Sequence, residues 1–122
     1  MSAEIIHLMM SLRDQVKLYH WQTMSYPRHK ATDDLVGNLD TNIDKFVEVY
    51  IGKYGRPKMT AKHAIHLHNF SDKQATRFLQ SVVTWMTHEL PKKVKSTDTD
   101  LLNIRDEIIA DLNQTLYLFT FH

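Results

Sequence analysis

At 122 residues the chain is long enough for one domain with a core of ordinary size, and too short for two. It contains no cysteine, so disulfides and thiolate chemistry are excluded and any metal must be held by nitrogen and oxygen. Fifteen Lys and Arg against fourteen Asp and Glu leave a net charge of +1, far from the basic balance that electrostatic DNA binding usually shows, so DNA is not excluded as a partner but is unsupported.

The opening stretch, MSAEIIHLMMSLRDQ, lacks the cationic segment and apolar run of a secretory leader, and nowhere do about 18 apolar residues follow one another as a membrane span requires. A soluble, cytoplasmic chain with no membrane contact is expected, with residues 1–122 forming one domain. Three glycines and three prolines, with apolar residues recurring three and four apart, leave little room for strands. A first helix runs from about Ala3 to Met24, with Ile5, Met9, Leu12, Val16 and Tyr19 on one core-facing stripe. Ser25 caps a second helix, and Pro27 sits in its first turn, where a missing amide hydrogen costs nothing. This helix extends to about Tyr54 on a stripe of Leu35, Leu39, Ile43, Phe46 and Tyr50, and Gly55 and Pro57 end it. The sixteen residues GRPKMTAKHAIHLHNF lead to a third helix, which opens at Ser71 with Gln74 as a capping box. It carries Phe78, Leu79, Val82, Met86 and Leu90 until Pro91 stops it. Thr97, with Asp98 and Asp100 in the first turn, opens a fourth helix whose stripe of Leu101, Ile104, Ile108, Leu112 and Phe119 reaches the chain end. Short joints pair the first helix with the second and the third with the fourth as antiparallel hairpins, and the long connection suffices for a crossover. The expectation is an all-α, antiparallel four-helix bundle of ferritin-like layout; a plain up-and-down bundle with a loose loop fits the same pattern.

Eight histidines are the compositional pointer to chemistry. At about 100° per residue, Asp33, Asp44 and Glu48 fall within roughly 60° of one another on the second helix and flank its apolar stripe. At about 1.5 Å rise per residue, Asp33 and Asp44 lie roughly 16 Å apart, too far to share an ion whose ligand bonds are about 2 Å. His29 with Asp33, and Asp44 with Glu48, are each one turn apart, so the helix carries two half-sites. A two-fold axis completes them. Two copies of this helix crossing antiparallel near residues 37 to 40 bring His29 and Asp33 of one chain to Asp44 and Glu48 of the other. Gly37 lies on this face beside the crossing, where a missing side chain lets backbones approach.

His20 and Trp21, then His29 and Asp33, then after ten residues Asp44 and Glu48, read as HW, HxxxD and DxxxE in order. This pattern resembles the ferroxidase signature of the Dps family, the mini-ferritins, over residues 16–50, and the likeness is architectural beyond. The resemblance implies a di-iron site between subunits, with His20, His29 and Asp33 from one chain and Asp44 and Glu48 from its partner. It also implies oxidation and sequestration of Fe(II), hence protection against oxidative damage, with Trp21 as an electron donor. The implied metal is iron, as Fe2+ and Fe3+, with zinc or another divalent ion able to take the same ligands in a crystal. The implied assembly is a homo-oligomer, from a two-fold dimer to a dodecameric shell. The turn between HW and HxxxD is shorter than the family's, and no basic tail of the kind with which Dps chains contact DNA stands in this sequence. The chain is also similar to short ferritin-like proteins of large DNA viruses, which implies the cytoplasm of a host cell.

Other pairings are weaker. His63, His66 and His68, in KHAIHLH, have spacing that a divalent ion could bridge, against a plainer reading as solvated histidines of a flexible connection. His88 and Glu89 reverse the ExxH order of larger di-iron bundles, and Trp85 stands where a Glu is needed. Glu107 and Asp111 read as a salt-bridged surface, and PKKVKS as a short basic loop. Against ferroxidase activity stands a second expectation, a ferritin-like structural or interaction protein that keeps the bundle and dimer but has no functional metal site.

Overall fold

Good helix formers interrupted only at capping residues dictate the elements. The computed structural model describes residues 3–122. Among them stand four α-helices and no strand: α1 (Glu4–Gln22), α2 (Tyr26–Tyr54), α3 (Asp72–His88) and α4 (Thr99–Leu118). Short 3-10 turns occupy Ala61–His63 and Leu90–Lys93. The Ser25 hydroxyl accepts from the Arg28 N–H at 3.4 Å to start α2. Gly55, at φ 83° and ψ 178°, takes a positive-φ extended conformation open to glycine, and α2 ends there. Ser71 and Gln74 form their reciprocal capping box at 3.2 and 2.9 Å.

Three helix ends differ from the expectation. Thr23 is extended, its N–H returning to the Tyr19 carbonyl at 2.9 Å, so α1 stops before Met24. Pro91 does not terminate α3; it lies inside the 3-10 turn that follows, where its missing N–H leaves no gap. The first residue flanking α4 is Asp98, not Thr97, and its carboxylate turns away from the helix amides. It accepts instead from the Lys95 N–H at 2.8 Å, from Lys53 Nζ at 3.1 Å and from the Tyr54 hydroxyl.

The four stripes meet in one core: Met9 and Leu12 of α1, Leu35, Leu39 and Phe46 of α2, Leu79 and Met86 of α3, Leu101, Ile108 and Leu112 of α4 are buried together. Each such side chain contributes about 1.5–3 kcal/mol on leaving water. Ile43 and Phe78 sit at the core's edge. α2 packs against both α1 and α4, and α3 against α4. His20 meets Thr32 while Arg13 pairs with Asp40 at 2.8 Å, so residue numbers fall along α1 as they rise along α2.

The connection from α2 to α3 is tied down and not loose. His7 Nε2 lies 2.8 Å from the Ala64 carbonyl. The buried Gln15 amide donates to the His68 carbonyl at 2.9 Å and accepts its N–H at 2.8 Å, and Gln22 donates to Asn69 at 2.8 Å. The anchors advance from His7 to Gln22, so the segment follows the length of α1.

Candidate metal centre

Thr23, Met24 and Ser25 are all that separates α1 from α2, so the last turn of one faces the first turn of the other. Carbonyls in a last helical turn lack intrahelical partners. The His20 carbonyl is one of these, and His29 Nδ1 donates to it at 2.9 Å. The exchange is reciprocal, because His20 Nδ1 lies 2.8 Å from the His29 carbonyl and 3.1 Å from the Thr32 hydroxyl. A carbonyl oxygen only accepts, so each imidazole carries a hydrogen on Nδ1, and in the neutral ring Nε2 keeps its lone pair. Holding a ring through one nitrogen while the other stays bare is the arrangement metal-binding histidines require.

The two rings stack with centroids 4.0 Å apart and planes 16° from parallel. An ion in the plane of one ring therefore lies out of the plane of the other, and the pair does not converge on a single ion. His20 is buried, His29 half-buried, and His20 Nε2 stands 3.8 Å from the exposed Asp33 carboxylate. Tyr26 places its ring 6.3 Å from that of His29. Trp21 is 67% exposed, with the Lys17 ammonium 5.1 Å above its ring.

Asp33, Gly37, Thr41, Asp44 and Glu48 form an exposed row along α2. A Cβ added to Gly37 would meet nothing within 4 Å. Asp44 lines a shallow groove with Met10, Arg13 and Asp40. Among the described residues, no group of three or more His, Cys, Asp or Glu in the chain could hold a metal ion. The structure thus brings His20, His29 and Asp33 to one end of α2 and leaves Asp44 and Glu48 apart, further along the helix.

The second cluster is not brought together. His63 Nδ1 accepts the Thr60 N–H at 2.8 Å and its ring meets that of His7 edge-on at 5.5 Å. The His68 ring stacks on Phe70 at 5.6 Å, and His66 is exposed. His88 and Glu89 are exposed at the end of α3. Asp111 accepts from Asn42 at 3.1 Å; its carboxyl is pushed above the usual range by burial and then by the charge of Glu107.

Beside the histidines lies a denser network. The Tyr19 hydroxyl donates to Asp72 at 2.5 Å, and Arg28 donates to that hydroxyl at 3.0 Å and to the Asp72 carbonyl at 2.8 Å. The Tyr19 hydroxyl foremost holds the Asp72 carboxyl below its ordinary range, while burial and then Asp72 push the phenol up. Arg28 also lies 4.3 Å over the Phe119 ring, joining the start of α2 to the chain's C-terminal end. Sequence reasoning missed Thr32 and Gln15. The only signal for either was a polar residue on an apolar stripe, where burial demands a hydrogen-bond partner.

No solved structure matches the chain. It is 34% identical over 100 residues to the "Uncharacterized 14.6 kDa protein in mobD-ri intergenic region" of Enterobacteria phage T4, across 80% of this chain and 77% of the phage protein. Residues 20–119 match a family of unknown function, DUF5856, a span that takes in His20, His29, the row along α2 and both later helices. The chain belongs to that family.

Proposed function

We infer that the protein is a ferritin-like antiparallel bundle that binds Fe(II) between two copies and oxidises it, in the manner of Dps mini-ferritins. The observation that carries this reading is the reciprocal imidazole–carbonyl exchange, which leaves the Nε2 lone pair of each ring bare, that of His20 3.8 Å from Asp33. The opposed numbering of α1 and α2 supports the antiparallel hairpin, and the connection following α1 supports the crossover. Among the described residues Asp44 and Glu48 take part in no hydrogen bond or ion pair, so no structural task competes with a role as ligands.

In this reading two copies of α2 cross near Gly37, and each His20, His29 and Asp33 faces Asp44 and Glu48 of the second copy. Stacked rings that do not converge suit two ions, one to each imidazole. Imidazole holds Fe(II), and the carboxylates favour the harder Fe(III) product. Two Fe(II) ions each give one electron to hydrogen peroxide; its O–O bond breaks, and two hydroxides form beside two Fe(III). Molecular oxygen takes the same two electrons with two protons and becomes peroxide.

The test is anaerobic Fe(II) titration followed by oxidant, with Asp44→Ala/Glu48→Ala as control and light scattering for size. Stoichiometric binding to a dimer or larger assembly is expected, with oxidation about tenfold or more faster than in the double variant. Equal rates, absent binding or a strict monomer would overturn the shared site and leave the structural or interaction protein standing.

A further inference from the structure

The geometry points to Thr32 as the positioning residue of this centre: its buried hydroxyl holds His20 in the Nδ1–H form, keeping Nε2 bare beside Asp33. The inference rests on the reading of the site as a metal centre. Thr32 is 1% exposed and lines a small apolar pocket with Val16, Ala75, Leu79 and Phe119, a place where packing alone would be served equally by Val. What Val lacks is the hydroxyl. Its single hydrogen is directed to the Arg28 carbonyl at 2.7 Å, with the His29 carbonyl at 3.2 Å as the alternative. With that hydrogen committed, Oγ1 meets His20 Nδ1 at 3.1 Å only as an acceptor. His20 Nδ1 therefore faces two acceptors, the His29 carbonyl and Thr32, and both demand an N–H. His29 Nδ1 has the His20 carbonyl alone.

The two histidines are thus braced unequally. His20 is a doubly held, buried ligand that cannot take the Nε2–H form without facing a bare nitrogen to two oxygens. His29 is half-buried and singly held. Removing the Thr32 hydroxyl leaves His20 the same single acceptor that His29 has, so the change falls on one imidazole of the pair.

The experiment uses the whole chain without metal, with 15N-labelled histidine, above the range in which imidazole is charged. Long-range 1H–15N spectra of the wild type should give the Nδ1–H tautomer for both His20 and His29. Thr32→Val should raise the minor Nε2–H share of His20 to that of the singly held His29 and leave His29 unchanged, and Thr32→Ser should restore the wild-type pattern. Co(II), followed by its ligand-field absorbance, then serves as the probe metal. Thr32→Val should weaken binding about tenfold, the low end of the effect of losing a ligand's outer partner, because the His29 carbonyl remains. Thr32→Ser should bind like the wild type. A wild-type His20 in the Nε2–H form overturns the proposal on its own, even where Thr32→Val does not fold. So does Co(II) binding unchanged in a folded Thr32→Val. Wild type that binds neither Co(II) nor Fe(II) overturns the metal reading instead, whatever tautomers the spectra record.

Discussion

Asp98, standing at the start of α4, is one carboxylate that ties down two other parts of the chain: the end of α2 through Lys53 and Tyr54, and the loop before α4 through Lys95. The Tyr54 hydroxyl foremost, then the Lys95 N–H, lowers its carboxyl to about 2. An unfolded Asp titrates at about 3.9. The folded state therefore gains from the ionised form above about pH 4 and loses that gain as pH falls toward about 2. Asp98→Asn should lower the melting temperature at neutral pH and flatten the loss between those limits, as thermal melts across the acid range will read. A variant whose melting temperature falls with acid as steeply as the wild type's would show that Asp98 does not set this window. At this scale the sequence was partly legible. Asp33, Asp44 and Glu48 could be placed on one face because they share a helix, and fixed periodicity relates them. His20 and His29 belong to different helices, and their meeting depends on the joint between them. The three-residue joint between α1 and α2 is what pairs each imidazole with the other's carbonyl. Thr32 reads in sequence as an ordinary helix residue, since the direction of a hydroxyl has no periodic signature.

The helices were legible as elements because each carries both a stripe and a punctuating residue: Ser25 and Gly55 around α2, Ser71 and Gln74 at α3. Pro91 misled, since a proline forbids only an amide bond and a 3-10 turn accommodates it at its start. The connection before α3 was the larger difference. Polar, histidine-rich composition suggests a solvated segment, yet Gln15, 3% exposed, acts as a stand-in strand for His68 by engaging both its backbone groups. Gln15→Leu keeps the apolar stripe but leaves a donor and an acceptor without partners. It should cost about 1–3 kcal/mol in urea denaturation and speed proteolytic cleavage near His66 and His68. Unchanged cleavage would mean that the other anchors, at Ala64 and Asn69, suffice.

For the whole molecule the decisive element is the outward row of α2. Gly37 sits mid-helix on the exposed face of α2 with nothing within 4 Å of where its Cβ would be, so nothing inside the chain requires glycine there. Gly37→Ala should stabilise the chain by about 0.5–1 kcal/mol in thermal or urea unfolding. On the proposed crossing, Gly37→Arg should keep the helical circular dichroism but be a monomer by light scattering where the wild type is a dimer, and should lack the stoichiometric Fe(II) oxidation expected of the wild type. A Gly37→Arg variant that stays dimeric and active would rule out the crossing at this point. The joint between α1 and α2 carries a different consequence. Because residues 23–25 set both imidazole–carbonyl exchanges at once, that turn has no slack: a lengthened loop parts the two histidines together. The stretch from Arg56 to Met59, before the first anchor along α1, carries no such burden, which makes it the natural place for inserted sequence, whether by drift within the family or by fusion.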